Sequence, residues 1–238
     1  MLGGWLQQGG VSLVSALFGD DGATRPKTHV TPMEEAHCNT WLLRQNVTSV
    51  ARELKTELRG TSGRFNEGER EKVIDRVRRA TGSDLPTGSS VEVTVQNPTG
   101  KAIVLTRLEV SVKNRTEPPA RSLVNVGSGC GGDLPVRQLS VDLDASEPRF
   151  IPQENDGLGN RTPDFPYKIS ANDPEVFMLS GYSSKLIEWT ATFHWVADGK
   201  EGKTVIDNEG HPFLSYSNTS AHYWFDTYYD TLNLAPTS

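Results

Sequence analysis

The chain is short of most features that announce a chemistry. Its 238 residues hold two cysteines, Cys38 and Cys130, far apart and in no CxxC pattern, so neither a zinc finger nor a disulfide scaffold is indicated. Whether the two pair is left open. Their separation favours two thiols packed as small apolar groups, and cysteine usage fixes no redox compartment. Basic charge is scarce as well: 24 Lys and Arg against 30 Asp and Glu give a net charge of −6, which argues against a general affinity for nucleic-acid phosphates. No apolar run is long enough to span a bilayer, and no basic segment of the signal-peptide type precedes the first apolar residues. Internal repeats, heptads and low-complexity tracts are missing too. The default compartment is the cytoplasm.

What the chain does have is alternation. Val91, Val93 and Val95 alternate with Glu92, Thr94 and Gln96, and Leu108, Val110 and Val112 alternate with Arg107, Glu109, Ser111 and Lys113. A period of two sends one set of side chains into a core and the other into water. Asn97-Pro98-Thr99-Gly100 between the two runs reads as the turn of a β-hairpin. Ile187, Trp189, Ala191, Phe193 and Trp195 alternate in the same way, and Asp198 to Gly202 joins them to Lys203–Ile206 as a second hairpin. The 22 Gly and 14 Pro gather between such runs, as many short strands require. Strands are expected near 90–97, 102–113, 122–128, 136–143, 174–181, 185–197, 203–207 and 212–216. Together they predict a mainly β chain: an antiparallel, immunoglobulin-like sandwich of about seven or eight strands.

Ahead of this lies a helical hairpin. A first helix is expected to begin near Asn39 or Thr40, with Leu43, Val47, Val50, Leu54 and Leu58 on one face. A second follows Asn66, with acidic residues first and Arg76, Arg78 and Arg79 last, as the helix dipole favours. The expected organisation is therefore an arm and linker over 1–38, a helical hairpin over 39–84 and the sandwich over 85–238. Within the arm, Met1 to Phe18 carries Leu2, Trp5, Leu6, Leu13 and Leu17, with no Lys or Arg. It reads as a segment packed on the body, with contact to a membrane surface as the alternative. Residues Gly19 to Pro32 read as linker. Ala145 to Pro166 is a long Pro-rich connection, read as a crossover between sheets and a surface of functional interest.

Candidate chemistry is thin. Gly127 to Asp133 is Gly-rich, but no helix is expected after it and no Lys-Ser or Lys-Thr follows, so it reads as a wide loop and not as a phosphate cradle. Cys130 acts as a nucleophile only beside a base, and His194 or His211 reaches it only through folding. His37 and Cys38, with Glu34 and Glu35, lack the second ligand pair of a zinc site, and His29 lies in the linker. Asp142 and Asp144, with Glu147, have oxygen ligands suited to calcium, yet read as a solvated strand end. Four matches to the glycosylation pattern, at Asn46, Asn114, Asn160 and Asn218, carry no weight in a chain rich in Asn, Ser and Thr. No metal or cofactor is indicated. The densest aromatic stretch is His222 to Tyr229. Tyr223, Trp224, Tyr228 and Tyr229 are the candidate binding residues, since Tyr and Trp carry much of the energy at interfaces.

One resemblance adds to this. Cys130-Gly131-Gly132-Asp133-Leu134-Pro135-Val136-Arg137, Leu139 to Asp144, Phe165 to Phe177, Glu188-Trp189 and Gly210-His211-Pro212-Phe213 together resemble a recurrent, uncharacterised β-rich module of actinobacterial proteins. It covers about residues 90 to 216, implies a sandwich and a bacterial origin, and brings no catalytic residues. The expected function is a non-enzymatic binding or protein-interaction module whose partner is another protein and not nucleic acid. Two alternatives stand beside it: a loop-built hydrolase using Cys130, His194, His211 or Asp142, and a membrane-tethered sensor or assembly component attached through residues 1–18.

Overall fold

Alternating burial along the strands builds two five-stranded sheets around one apolar core. The computed structural model describes residues 25–32, 39–58, 67–81, 90–117, 123–126, 136–155, 160–161, 163–171, 173–216, 222–225 and 234–236. They are mainly strand, with two helices. The chain runs β1 (Lys27–Pro32), β2 (Asn39–Leu42), α1 (Val47–Glu57), α2 (Glu67–Thr81), β3 (Ser90–Gln96), β4 (Ile103–Thr116), β5 (Leu123–Val126) and β6 (Val136–Asp142). It continues through β7 (Ile151–Pro152), β8 (Glu154–Asn155), β9 (Asn160–Arg161), β10 (Tyr167–Ile169) and β11 (Glu175–Tyr182). The last strands are β12 (Leu186–Ala197), β13 (Lys200–Ile206), β14 (Phe213–Ser215), β15 (His222–Phe225) and β16 (Leu234–Pro236).

The first sheet has the order β1-β3-β11-β6-β7, and the second β10-β4-β12-β13 with β14 also on β12. Val91, Val93 and Val95, Leu139 and Val141, and Phe177 and Leu179 are buried from the first sheet; Ile103, Leu105 and Leu108, with Ile187, Trp189, Ala191 and Phe193, are buried from the second. All belong to a single core. Phe177 meets Phe193 across it, with ring centroids 5.1 Å apart. The expected strand positions correspond to β3, β4, β5, β6, β11, β12, β13 and β14.

Pairing departs from expectation in three places. The turn at Asn97 to Gly100 does not close a hairpin, because β3 lies in the first sheet and β4 in the second. Asn97 makes that corner: its buried amide donates to Lys101 O at 2.7 Å and Ile169 O at 2.9 Å, and its oxygen accepts from Thr99 N at 2.9 Å. Alternation reports which face of a strand is buried and is silent on which strand lies beside it. Secondly, β6 and β11 run parallel, so the first sheet is mixed and not purely antiparallel. Thirdly, Lys27–Pro32 is not linker but an edge strand, paired along its length to β3, with Val30 packed on the core.

The β12–β13 hairpin forms as expected and turns more tightly, with Ala197 opposite Lys200. Asp198 and Gly199 both take positive φ (53° and 74°), the two-residue geometry that matches strand twist. Trp195 lies over Gly202, where an added Cβ would fall 2.2 Å from the ring, and its indole N–H donates to Thr204 at 3.0 Å. An aromatic covering a cross-strand glycine repairs the packing that the glycine lacks.

A smaller four-stranded sheet, β16-β15-β5-β2, accompanies the helices. Helix α1 starts at Val47, later than Asn39 or Thr40, because Asn39–Leu42 is committed to pairing with β5. Asn46 caps it by accepting from Thr48 N at 2.9 Å. This is the role of an N-cap side chain that satisfies an orphan amide. Trp41, Leu43 and Val124 fill a second core with Val47, Val50, Leu54, Val73 and Val77 of the helices. Arg76 is buried to 6% exposure, and its Nε donates to Glu53 at 2.8 Å. Leu42 and Tyr216, with Leu186 against them, form a small apolar cluster of their own.

Asn97 supplies a test of the corner. Asn97→Ala leaves the Ile169 carbonyl without its donor and is expected to cost about 1–3 kcal/mol. Asn97→Asp, which sets a carboxylate against that carbonyl, is expected to cost at least as much. Urea unfolding followed by tryptophan fluorescence reads both; unchanged midpoints would mean that the amide does not hold the corner.

A candidate interaction edge on the second sheet

Strand β4 is long, and among the described residues only one of its edges is paired throughout. Residues Ile103 to Thr116 pair with β12 on one side. On the other side β10 covers Ile103, Val104 and Leu105 alone. From Thr106 onward, no strand among the described residues pairs with that edge. Backbone groups along a free edge are a template for another strand.

Two bulges bracket the stretch. His194 and Trp195 lie opposite Arg107 and Leu105, which leaves Thr106 as an extra residue, and Glu188 and Trp189 lie opposite Asn114 and Val112, which leaves Lys113 as another. The first bulge explains a change of parity: Ile103 and Leu105 face the core before it, Leu108, Val110 and Val112 after it. The second turns Arg115 inward, where its guanidinium donates to Leu143 O at 3.3 Å. Between the bulges, Arg107 to Val112 is regular. Val110 and Val112 are only partly buried, unlike Ala191 and Trp189 opposite them.

The outer face beside this edge is polar and tightly organised. His194 of β12 stands opposite Arg107 on one side and Lys203 on the other. Its Nε2 lies 2.6 Å from Glu109 Oε2, and Arg107 Nη2 lies 2.7 Å from the other Glu109 oxygen. Arg107 Nη2 is also 3.2 Å from both ring nitrogens of His194. A nitrogen equidistant from both cannot lie in the ring plane without striking Cε1, so the guanidinium stacks on the ring face. The imidazole is therefore 11% exposed although it sits on the solvent side of the sheet. The hydrogen bond from His194 holds the Glu109 carboxyl below its ordinary value against the opposing effect of burial, and the charges of His194, Arg107 and Lys203 add to this.

Other polar side chains are engaged in holding strands and loops. Arg137 of β6 forks onto Glu175 of β11 at 2.5 and 2.9 Å and lies 4.7 Å from the Tyr167 ring centre. The Tyr167 hydroxyl donates to Pro163 O, and burial pushes its phenol up to about 12. Asp144 accepts from Ser183 Oγ, Ser184 N and Ser184 Oγ at 2.7, 2.7 and 2.8 Å. Burial alone would raise its pKa, but these bonds outweigh burial and lower it.

The residues singled out in the sequence fall in several places. Asp142 accepts from the Asp144 backbone at 3.0 Å, so this acidic pair closes a turn and anchors the 183–184 loop. Asp142 is exposed at the end of β6 in the first sheet, His194 lies on the outer side of the second, and His211 is exposed in the bridge with Asn208. These three do not converge. Cys130, the Gly127–Asp133 loop, Glu34, Glu35, His37 and Cys38 lie outside the described residues. So do residues 1–18, Tyr228 and Tyr229. Tyr223 and Trp224 belong to β15, an inner strand paired with both β5 and β16. His29 stands opposite Thr94 in β1. Ala145 to Pro166 carries the chain from the first sheet to the second and sends Phe150 and Phe165 against the core.

Among the described residues no helix is long and apolar enough to cross a membrane, and no group of three or more His, Cys, Asp and Glu is placed to hold a metal. The free edge was not singled out from sequence. Its one signal was the parity change between Leu105 and Leu108, which marks a bulge. No family model, curated protein or solved structure matches the chain.

Glu109 gives a pH test. Its folded value is depressed, so its contribution is full above the ordinary carboxyl value of 4.5 and is lost as pH falls through the folded value. Glu109→Gln is expected to melt below the wild type at neutral pH, with the gap closing below about pH 4.5. A gap of constant size down to about pH 2–3, well under the ordinary carboxylate range, would mean that the ionised carboxylate contributes nothing.

Proposed function

We infer that the chain is a non-enzymatic protein-interaction module that takes a partner strand on the free edge of β4. On this reading the two packed sheets are an immunoglobulin-like sandwich, the helices form a hairpin beside it, and the fold serves as a rigid scaffold. Residues 90–216 are assigned to the β-rich actinobacterial module that they resemble. The observation that carries the reading is the edge from Arg107 to Val112, regular between two bulges, with two half-buried valines on its inner side. A partner strand placed there satisfies the backbone and covers Val110 and Val112, which is the mode of strand addition. Bulges at both ends limit pairing to a short stretch and protect against indiscriminate edge-to-edge association. The engagement of Arg137, Glu175, Asp144 and His194 with neighbouring side chains and loops supports a binding role over a catalytic one.

The test is affinity capture from lysate of the source cells, with partners identified by mass spectrometry, comparing the wild type with Val110→Lys. An inward-pointing charge on an edge strand blocks strand addition. Circular dichroism must first show the variant folded. Partners kept by the wild type and lost by Val110→Lys are expected; identical partners on both chains would contradict the reading.

A further inference from the structure

The free edge carries a sequence that complements itself. Resting on the reading of β4 as a binding edge, we propose that its partner is a second copy of this chain, joined antiparallel about Ser111 on a two-fold axis.

The residues concerned are Glu109-Val110-Ser111-Val112-Lys113. Turned end for end about Ser111, this segment sets Glu109 opposite Lys113 of the other copy, the bulge residue that ends the regular stretch, Val110 opposite Val112, and Ser111 opposite itself. Both ends then make opposite-charge cross-strand pairs, and the valines extend the apolar ladder on the core side. Such pairs stabilise antiparallel strands, and like charges in the same positions destabilise them. Glu109 and Lys113 are exposed, and Val110 and Val112 are half-buried, so all four have surface left to cover.

Other registers fail for identifiable reasons. Pairing about Leu108 sets Arg107 opposite Glu109 but can cover Val112 only with Val104, an edge position that β10 already occupies. Pairing about Glu109 sets that carboxylate against its own copy, and pairing about Val110 sets Arg107 against Lys113. Pairing about Val112 leaves Glu109 to seek Arg115, which the second bulge has turned toward Leu143. The Ser111 register covers both valines and pairs Glu109 with Lys113; farther out it sets Arg107 opposite Arg115, whose guanidinium is held at Leu143 O beyond the second bulge. It is isologous, so each copy uses the same surface, and the assembly closes at two chains.

A short edge contact buries little area, so the dimer is weak, and the test is sedimentation velocity from about 1 μM to about 1 mM, where interfaces at the small end of the size range associate. The wild type is expected to pass from monomer to dimer. Lys113→Glu alone and Glu109→Lys alone each place like charges at both ends, and each is expected to weaken association at least tenfold. Mixed in equal amounts, the two variants bring an edge with two carboxylates against an edge with two ammonium groups. Opposite charges then face each other at both ends, and dimerisation is expected to return. Ser111→Lys sets two ammonium groups on the axis and is expected to abolish it. This variant keeps the test intact if loss of the Glu109–His194 bond prevents Glu109→Lys from folding.

A wild type that stays monomeric over the whole range overturns the self-pairing and leaves the free-edge reading to the Val110→Lys capture experiment. A dimer that Lys113→Glu and Ser111→Lys do not weaken also overturns it, because the copies then meet elsewhere. Folded single variants that fail to associate when mixed overturn the Ser111 register.

Discussion

Three strands of the second sheet, β4, β13 and β14, pair directly with β12, whose edges are both occupied and whose inner face carries Ile187, Trp189, Ala191 and Phe193, all fully buried. β4 runs along one edge, and β13 and β14 share the other. Trp189 sets the tolerances. Its indole N–H donates to Ser215 at 2.8 Å, fixing β14, and its ring lies 5.1 Å from Phe213 and 6.1 Å from Phe150. The facing sheet must come close to it, and at Gly181 an added Cβ would stand 3.2 Å from Trp189 and 2.9 Å from Leu143. Close-packed interiors tolerate such insertions poorly.

The same constraint leaves β4 half used. β12 takes one edge of it completely, while among the described residues the other is left to β10, a strand of three residues that ends its pairing at Leu105. The polar cluster of Arg107, Glu109 and His194 stiffens the outer side of this edge, and the core stiffens the inner side. On the proposed reading, an edge limited by bulges and braced on both faces would hold a partner strand in one register, because little conformational freedom is left to lose on binding.

Much of the β framework was legible in the sequence. Strict alternation over Ser90–Gln96 and Leu186–Ala197 located two strands well, and Asp198 to Gly202 located the hairpin connection, although the turn itself takes only Asp198 and Gly199. Strand neighbours were not legible. Asn97 to Gly100 has the composition of a hairpin turn, but its decisive bond is from Asn97 to Ile169, 72 positions away in sequence. β1 was hidden for the opposite reason: Lys27-Thr28-His29-Val30-Thr31-Pro32 offers one apolar residue to the core, and an edge strand needs little more. The helix start was misplaced because Asn39 and Thr40 are good capping residues, while pairing of this segment to the sequence-distant β5 decides its fate. At the candidate site, the side-chain pattern of β4 was readable, but whether an edge is paired is a property of the whole sheet order.

The central claim is that two sheets share one core and unfold as a unit, with Phe177 of the first packed on Phe193 of the second. A double-mutant cycle on Phe177→Leu and Phe193→Leu, read by urea unfolding, tests it directly. Facing aromatic rings couple by about 0.5–1.5 kcal/mol, so the double variant should be less destabilised than the sum of the singles by that amount. Additive losses, or two separate unfolding transitions, would contradict the account.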